Sequence, residues 1–267
     1  ERICLKFGIG NLSMGGTGKS ILVEYLILHL KDKYKLATLS RGYGRSSKGF
    51  IIAEKNSLPS EVGDEPFQFL NNHPEIKVTV SENRRIGVDK IKTKFPEINL
   101  IIFDDLMQHR WVKSDFLIAT TSFRKPFFDD HLFPVGMLRE QKKEIRRADV
   151  ILITSTPQNI KYDEKNNFLN RIKIFYTGKV FFTRLRYSNS LFNLNHKISD
   201  KTLAAKPFIL VTGIADSTGI VEYLKLNNYI FEHLKYSDHH NYSKNDFELI
   251  NKKGKSKIVL TTEKDFG

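Results

Sequence analysis

The sequence is short of thiols, of acid and of long apolar runs. Its 267 residues include one cysteine, Cys4. A single thiol forms no internal disulfide and builds no cysteine–zinc cluster, so a disulfide-stapled scaffold is excluded and a reducing compartment is the natural setting. No stretch approaches the roughly 18 apolar residues of a membrane-spanning helix. The longest candidate, 21–30, is broken by Glu24 and His29. There is no initiator Met, no signal peptide, no short-period repeat and no low-complexity tract. Helix-turn-helix, zinc-finger and RNP signatures are missing, which argues against a nucleic-acid reader. Acid is in deficit: 30 Asp and Glu against 43 Lys and Arg leave a net charge of +13. That predicts attraction to an anion, whether nucleic acid, an acidic membrane surface or a phosphorylated ligand, without choosing among them.

What is present suits a globular protein: 40% hydrophobic and 27% charged residues. At about 150 residues per domain, the length allows one large domain or two small ones. Short apolar strands are predicted at 36–39, 78–80, 100–103, 116–119, 150–154, 208–212 and 258–260. Helical patterns fall at 20–31, 65–71, 84–94, 138–147 and 219–226. Such alternation argues for an α/β protein with a largely parallel sheet. The rhythm breaks after 178. We expect a core over 1–178, an extended connector or hairpin over 179–206, and a smaller α/β unit over 207–267 that starts afresh with Phe208-Ile-Leu-Val-Thr-Gly213. The chain starts and stops inside predicted elements, so further residues are expected beyond both ends.

The strongest motif is Gly10-Asn-Leu-Ser-Met-Gly-Gly-Thr-Gly-Lys-Ser20, between a strand and an amphipathic helix. That is the context of a phosphate-binding loop. Ser13, Met14, Gly15, Gly16, Thr17 and Gly18 would turn backbone N–H groups around phosphate oxygens, and the helix N-terminus adds partial positive charge. Lys19 would reach the β- and γ-phosphates, and the Ser20 hydroxyl would ligate Mg²⁺. Ser13 stands where the general pattern has its first glycine; Gly15 and Gly16 supply flexibility instead. The second motif is Leu100-Ile-Ile-Phe-Asp104-Asp105, an apolar strand ending in carboxylates, where Asp104 or Asp105 would hold Mg²⁺ opposite Ser20.

Other sites carry less by themselves. Arg41 and Arg45 sit on a glycine turn. Asp64 precedes a helix and fits either a general base or a helix cap. Asp238-His239-His240 pairs a carboxylate with imidazoles and fits either a tuned base or a solvated loop. Arg139 and Glu140 open a basic helical pattern, either a solvated face or a phosphate- and Mg²⁺-binding pair.

Taken in order, these motifs resemble the tetraacyldisaccharide 4′-kinases of Gram-negative bacteria. The matching pieces are the phosphate loop, Ser40-Arg-Gly-Tyr-Gly-Arg45, Val62-Gly-Asp-Glu-Pro66, Asp104-Asp-Leu-Met-Gln-His-Arg110, Pro134-Val-Gly-Met-Leu-Arg-Glu140, Asp238-His-His-Asn-Tyr242 and Thr262-Glu-Lys-Asp265. The resemblance implies two α/β/α units, the first of P-loop NTPase type, joined by a β-ribbon, with the active site in the cleft between them. It implies transfer of the ATP γ-phosphoryl to the 4′-hydroxyl of a tetraacylated disaccharide 1-phosphate, giving lipid IVA, at the cytoplasmic face of the inner membrane. By position, it implies Asp64 as general base with His239 its partner. Lys19, Ser20 and Arg139 would handle phosphate and metal, and Asp104, Asp105 and Glu140 would surround Mg²⁺. Leu106, Ile21 and Gln141 depart from the family pattern.

The motifs therefore turn the +13 charge toward ATP, a phosphorylated lipid and an anionic membrane surface, and away from nucleic acid. Another P-loop NTPase is the alternative. A GTPase needs a guanine-reading Asn/Thr-Lys-x-Asp, but the lysine of Thr262-Glu-Lys-Asp265 falls one place late. A metallochaperone needs a Cys/His cluster that one cysteine cannot supply.

Overall fold

Apolar strands with no polar alternation dictate the architecture, because they must be covered on both faces. In the computed structural model, residues 3–187, 190–193, 196–199, 203 and 206–266 are described. They fall into two units, Glu1–Arg184 and Leu185–Gly267. The larger unit is built on an eight-stranded sheet. Its strands are β1 (Leu5–Gly10), β2 (Leu36–Ser40), β3 (Ile51–Ile52), β4 (Lys77–Val80), β5 (Leu100–Phe103), β6 (Phe116–Ser122), β7 (Val150–Thr154) and β8 (Lys179–Phe182). Their spatial order is β3-β4-β2-β5-β1-β6-β7-β8. Neighbours are parallel except for the edge pair β3 and β4.

Strand β5 shows how the layers form. Leu100 and Ile102 face one core, shared with Val23 and Ile27 of α1 (Lys19–Leu30). The short turn α2 (Pro59–Val62) leads into α3 (Asp64–Asn72), whose Phe69 and Leu70 complete that core. Ile101 and Phe103 face the opposite core, with Val88 and Ile91 of α4 (Arg84–Lys94) and Phe168 and Ile172 of α5 (Tyr162–Lys173). Helix α4 starts where Asn83 caps it, its side-chain oxygen accepting from the Arg85 and Ile86 amides.

The smaller unit repeats the design on three parallel strands, ordered β12-β11-β13: β11 (Phe208–Thr212), β12 (Phe231–Lys235) and β13 (Val259–Thr261). Phe208 and Leu210 pack with Leu224 of α6 (Thr218–Leu226). Ile209 and Val211 pack with Ile250 of α7 (Lys244–Gly254). A final turn, α8 (Glu263–Phe266), follows β13.

Two expectations are revised. Residues 138–147 form no α-helix; only Lys142–Arg147 coil, as a 3-10 turn. The backbone before them is extended and spoken for, since Leu138 bridges both Ser13 and Leu132 and the Arg139 amide donates to Leu12 O. The first four residues of the expected connector are instead β8, paired parallel with β7. Beyond it β9 (Ser190–Asn193) and β10 (His196–Ser199) form an antiparallel ribbon, while 188–189, 194–195, 200–202 and 204–205 lie outside the described residues.

Phe69 is fully buried between α3 and the sheet. Phe69→Ala should destabilise the larger unit by about 3–5 kcal/mol, through lost burial and the cavity left behind. Urea unfolding followed by circular dichroism measures this.

Candidate active site

The phosphate loop leaves the C-terminal end of β1, a central strand flanked by β5 and β6. The Asp104–Asp105 pair leaves the same end of β5. Parallel register therefore sets the two motifs side by side, and the Leu106 amide fastens them by donating to Ile9 O at 2.8 Å. This end of a parallel sheet is where ligands bind in open α/β folds.

Within the loop, Gly15 (φ 92°) and Gly18 (φ 80°) take left-handed backbone conformations. Ser13 and Gly16 do not, which explains why serine serves at position 13. Met14, Gly15 and Gly16 are exposed, whereas Thr17 is buried. The Thr17 hydroxyl meets Thr120 Oγ1 at 2.8 Å and accepts from Asn11 Nδ2 at 2.7 Å. Lys19 and Ser20 open α1, which carries no acid in its first turn, so its dipole stays available to an anion.

Asn11 is the hub. It is fully buried, and its Oδ1 accepts from Lys19 Nζ at 3.0 Å and from an Arg139 Nη2 group. Arg139 also grips Asp105 with both nitrogens, at 2.6 and 2.8 Å. Lys19 lies 3.5 Å from the same carboxylate. Burial alone would raise the Asp105 pKa, but the Arg139 hydrogen bonds and the Lys19 charge outweigh it and hold it at about 2. Asp104 is the opposite case. Burial, reinforced by the Asp105 charge, pushes it up to about 7. Its Oδ1 is buried without a hydrogen-bond partner among the described residues. The two carboxylates that spacing could not separate thus take different roles: Asp105 is spent on cations of the protein, and Asp104 keeps an acceptor in reserve.

Glu140 sits otherwise than a free metal ligand. Its Oε2 is held by Arg110 at 2.8 Å and Arg147 at 2.6 Å, and its Oε1 is buried without a hydrogen bond. Among the described residues no group of three or more His, Cys, Asp and Glu side chains is placed to hold a metal alone.

Asp64 is the first residue of α3. Gly63 precedes it at φ 93° and rests against Gly42, so near that a Cβ would come within 2.9 Å of Gly42 Cα. This backbone contact joins the Asp64 turn to the Arg41–Arg45 loop, which with Glu82 lines a cavity of about 310 Å³. Arg45 itself is tied to Glu82 at 2.6 Å.

In the smaller unit, loops after all three strands converge. Gly213 follows β11, Asp238 and His239 follow β12, and Thr262–Asp265 follows β13. His239 has φ 54°, and its amide donates to Gly213 O at 3.2 Å. Lys264 Nζ lies 3.1 Å from both Asp238 Oδ1 and His239 Nε2. Asp238 is 3.9 Å from His239 Nε2, too far for a hydrogen bond. Asp265 accepts from the Gly213 amide and the Thr262 hydroxyl, which commits it to the loop.

Sequence reasoning missed Asn11, Arg84, His109 and Lys264 as site residues. Arg84 is almost fully buried, donates to Ser81 O and reaches Asp104 O at 3.4 Å; burial lowers its pKa to about 10. An arginine opening a helix gives no sign of that in sequence. His109 is drawn down to about 4 by burial and by the charges of Arg84, Arg41 and Arg139. Asn11 and Lys264 lay inside quoted motifs, and only their contacts reveal their work.

Comparison with known proteins follows this geometry. The family model described as tetraacyldisaccharide-1-P 4′-kinase matches residues 7–267. The tetraacyldisaccharide 4′-kinase of Flavobacterium johnsoniae is 38% identical over 258 residues, covering 97% of this chain and 75% of that protein. That of Flavobacterium psychrophilum is 39% identical over 261 residues, with the same coverage. A crystal structure of LpxK from Aquifex aeolicus in complex with ATP superposes with a TM-score of 0.75 at 29% identity, covering 98% of this chain and 78% of that one.

A raised carboxylate gives stability that is fully present below the unfolded pKa near 4 and is lost as pH climbs through the folded value, about 7 for Asp104. Asp104→Asn removes that loss. The variant should gain melting temperature relative to the parent progressively between pH 4 and 7 and then level off. Parallel melting curves without nucleotide read this directly, and a difference independent of pH would refute the assignment.

Proposed function

This chain belongs to the tetraacyldisaccharide-1-phosphate 4′-kinase family, and from that premise we propose how its residues carry out the reaction. It is an ATP-dependent lipid kinase of lipid A biosynthesis. The observation that carries the reading is the clasp of Lys19, Arg139 and Asn11 around Asp105 beside the phosphate loop, in a chain matched over nearly its whole length.

ATP phosphates are taken by the backbone of 13–18, the α1 N-terminus and Lys19. Lys19 and Arg139 are already held at one point by Asn11, so both cations meet developing charge on the transferred phosphoryl with little reorganisation. The residues present fit Mg²⁺: Ser20 and Asp104 would hold it, Asp104 through its unpartnered Oδ1, with Asp105 and Glu140 as neighbouring carboxylates. Bound there, the ion would neutralise phosphate charge. An ionised Asp104 is then required, and a divalent cation supplies the charge that lowers its pKa.

Asp64 is proposed to accept the proton of the 4′-hydroxyl as that oxygen forms its bond to the γ-phosphorus and ADP departs. A sugar hydroxyl is a weak nucleophile, so a positioned carboxylate speeds the step. His239 is proposed as a second participant in that proton transfer. The setting we propose is the anionic surface of the inner membrane, supported by the +13 charge and the lipid acceptor. Among the described residues no helix is long and apolar enough to cross a membrane.

Incubation with γ-labelled ATP, Mg²⁺ and the disaccharide 1-phosphate in detergent should give labelled lipid; none would refute the reading. Lys19→Ala should abolish transfer. Asp64→Ala should keep ATP binding yet lower kcat by roughly a hundredfold or more, and an unchanged kcat would end its role as base. For His239→Ala the expected loss is large but partial; a neutral result would make it a structural loop residue.

A further inference from the structure

We propose that the larger unit docks on an anionic lipid bilayer through two neighbouring turns, with Trp111, Phe133 and Val135 entering the lipid interface. The proposal deepens the kinase reading and rests on its lipid acceptor. Trp111 is 91% exposed, Phe133 63% and Val135 84%. Leu132 and Met137 flank the second turn at 44% and 50%. Large apolar side chains gathered in water mark an interaction surface, whereas single ones do not. Arg110 and Leu132, the chain neighbours of Trp111 and Phe133, line one cavity of about 450 Å³ with Arg139, Glu140, Lys143 and Glu144, which sets the two turns beside each other.

The second turn is preformed. Asp130 Oδ1 accepts from the His131 amide at 2.8 Å and the Met137 amide at 3.0 Å. The Phe133 amide donates to Leu138 O at 2.9 Å. Gly136 packs against Asp130 and His131 where no Cβ would fit. These bonds hold the backbone of the turn in place, which lowers the entropy cost of ordering it on docking.

Charge selects the occupant. Arg110 and Lys113 flank Trp111 in sequence, and Lys143 lines the cavity beside Leu132. The nearby acids Glu140 and Glu144 are paired with Arg110 and Arg147, and Asp130 accepts from the turn's own amides, which leaves Lys113 and Lys143 as the basic rim. An aromatic tip with a basic rim suits the headgroup region of an anionic leaflet. The same segment reaches the phosphate loop, since Met14 N donates to Met137 O at 2.6 Å and Ser13 bridges Leu138. Seating the turn in lipid would thus bring the phosphate loop to the headgroup level, where a lipid acceptor presents its sugar.

Trp111 is the single tryptophan of the sequence, so its fluorescence reports the docking alone. Emission should shift to the blue and be quenched by acyl-brominated lipid on vesicles containing phosphatidylglycerol. The effect should be far weaker on pure phosphatidylcholine and should decline with added salt. The double variant Phe133→Ser, Val135→Ser should lose roughly tenfold or more in vesicle partitioning, from lost apolar burial. Its phosphoryl transfer to acceptor in detergent micelles should stay unchanged. Vesicle binding with Trp111 emission unaltered would overturn the proposal, as would no vesicle binding, or concentration-dependent self-association that shields Trp111 without lipid. Quenching without labelled product in micelles would remove the kinase reading and leave the docking intact.

Discussion

Two adjacent carboxylates at the end of a buried strand are an electrostatic problem that the larger unit must solve. Both cannot be ionised beside each other in a low-dielectric setting without compensation. The structure separates them. Asp105 turns through a left-handed backbone (φ 55°) into the two-pronged grip of Arg139, with Lys19 behind it. Asp104 stays under cover with its pKa near neutrality. Buried Arg84 adds positive charge beneath the pair; burial lowers its own pKa to about 10, against the pull of the two carboxylates. Lys19 and Arg139 are thus held beside the phosphate loop by one shared carboxylate.

That clasp also explains why residues 138–147 are not a helix. Amphipathic spacing favours one, but Arg139 must approach Asn11 and Asp105, and the chain reaches them only when extended. Ser13 pairs with Leu138 and Leu12 O accepts from Arg139 N, so the phosphate loop gains a short strand-like splint. Tertiary hydrogen bonds outweigh local propensity here, since the propensity difference is a few tenths of a kcal/mol per residue.

Elements with strong local signals were legible in the sequence. Strands β5, β7 and β11 have apolar runs buried on both faces, and their predicted bounds match. Helix α4 was readable because its apolar spacing is clear. The misses are of another kind. Strand β12, Phe-Glu-His-Leu-Lys, has no fully buried residue and reads as polar loop. Helices α5 and α7 bury only two and one side chains, so their apolar stripe is thin. At the site, glycines and terminal carboxylates announced themselves by type. What stayed hidden depends on contacts between distant residues, as with Asn11 and Arg139, 128 positions apart.

Backbone strain points the same way as the electrostatics. Four non-glycine residues among those described have positive φ: Asp105, Ser155, Asn228 and His239. Asp105 and His239 each follow a parallel strand, β5 and β12, and each carries a side chain held by a lysine, Lys19 and Lys264. A left-handed turn costs about 1 kcal/mol or more for a residue with a Cβ. It directs the side chain sideways across the strand ends instead of along the chain. Asparagine or aspartate tolerates this better than most residues, which accounts for Asp105, while at His239 the Gly213 carbonyl and Lys264 fix the conformation. Each unit therefore spends local stability at the strand ends where its motif residues lie, and recovers it from a charge pair or hydrogen bond at the same point.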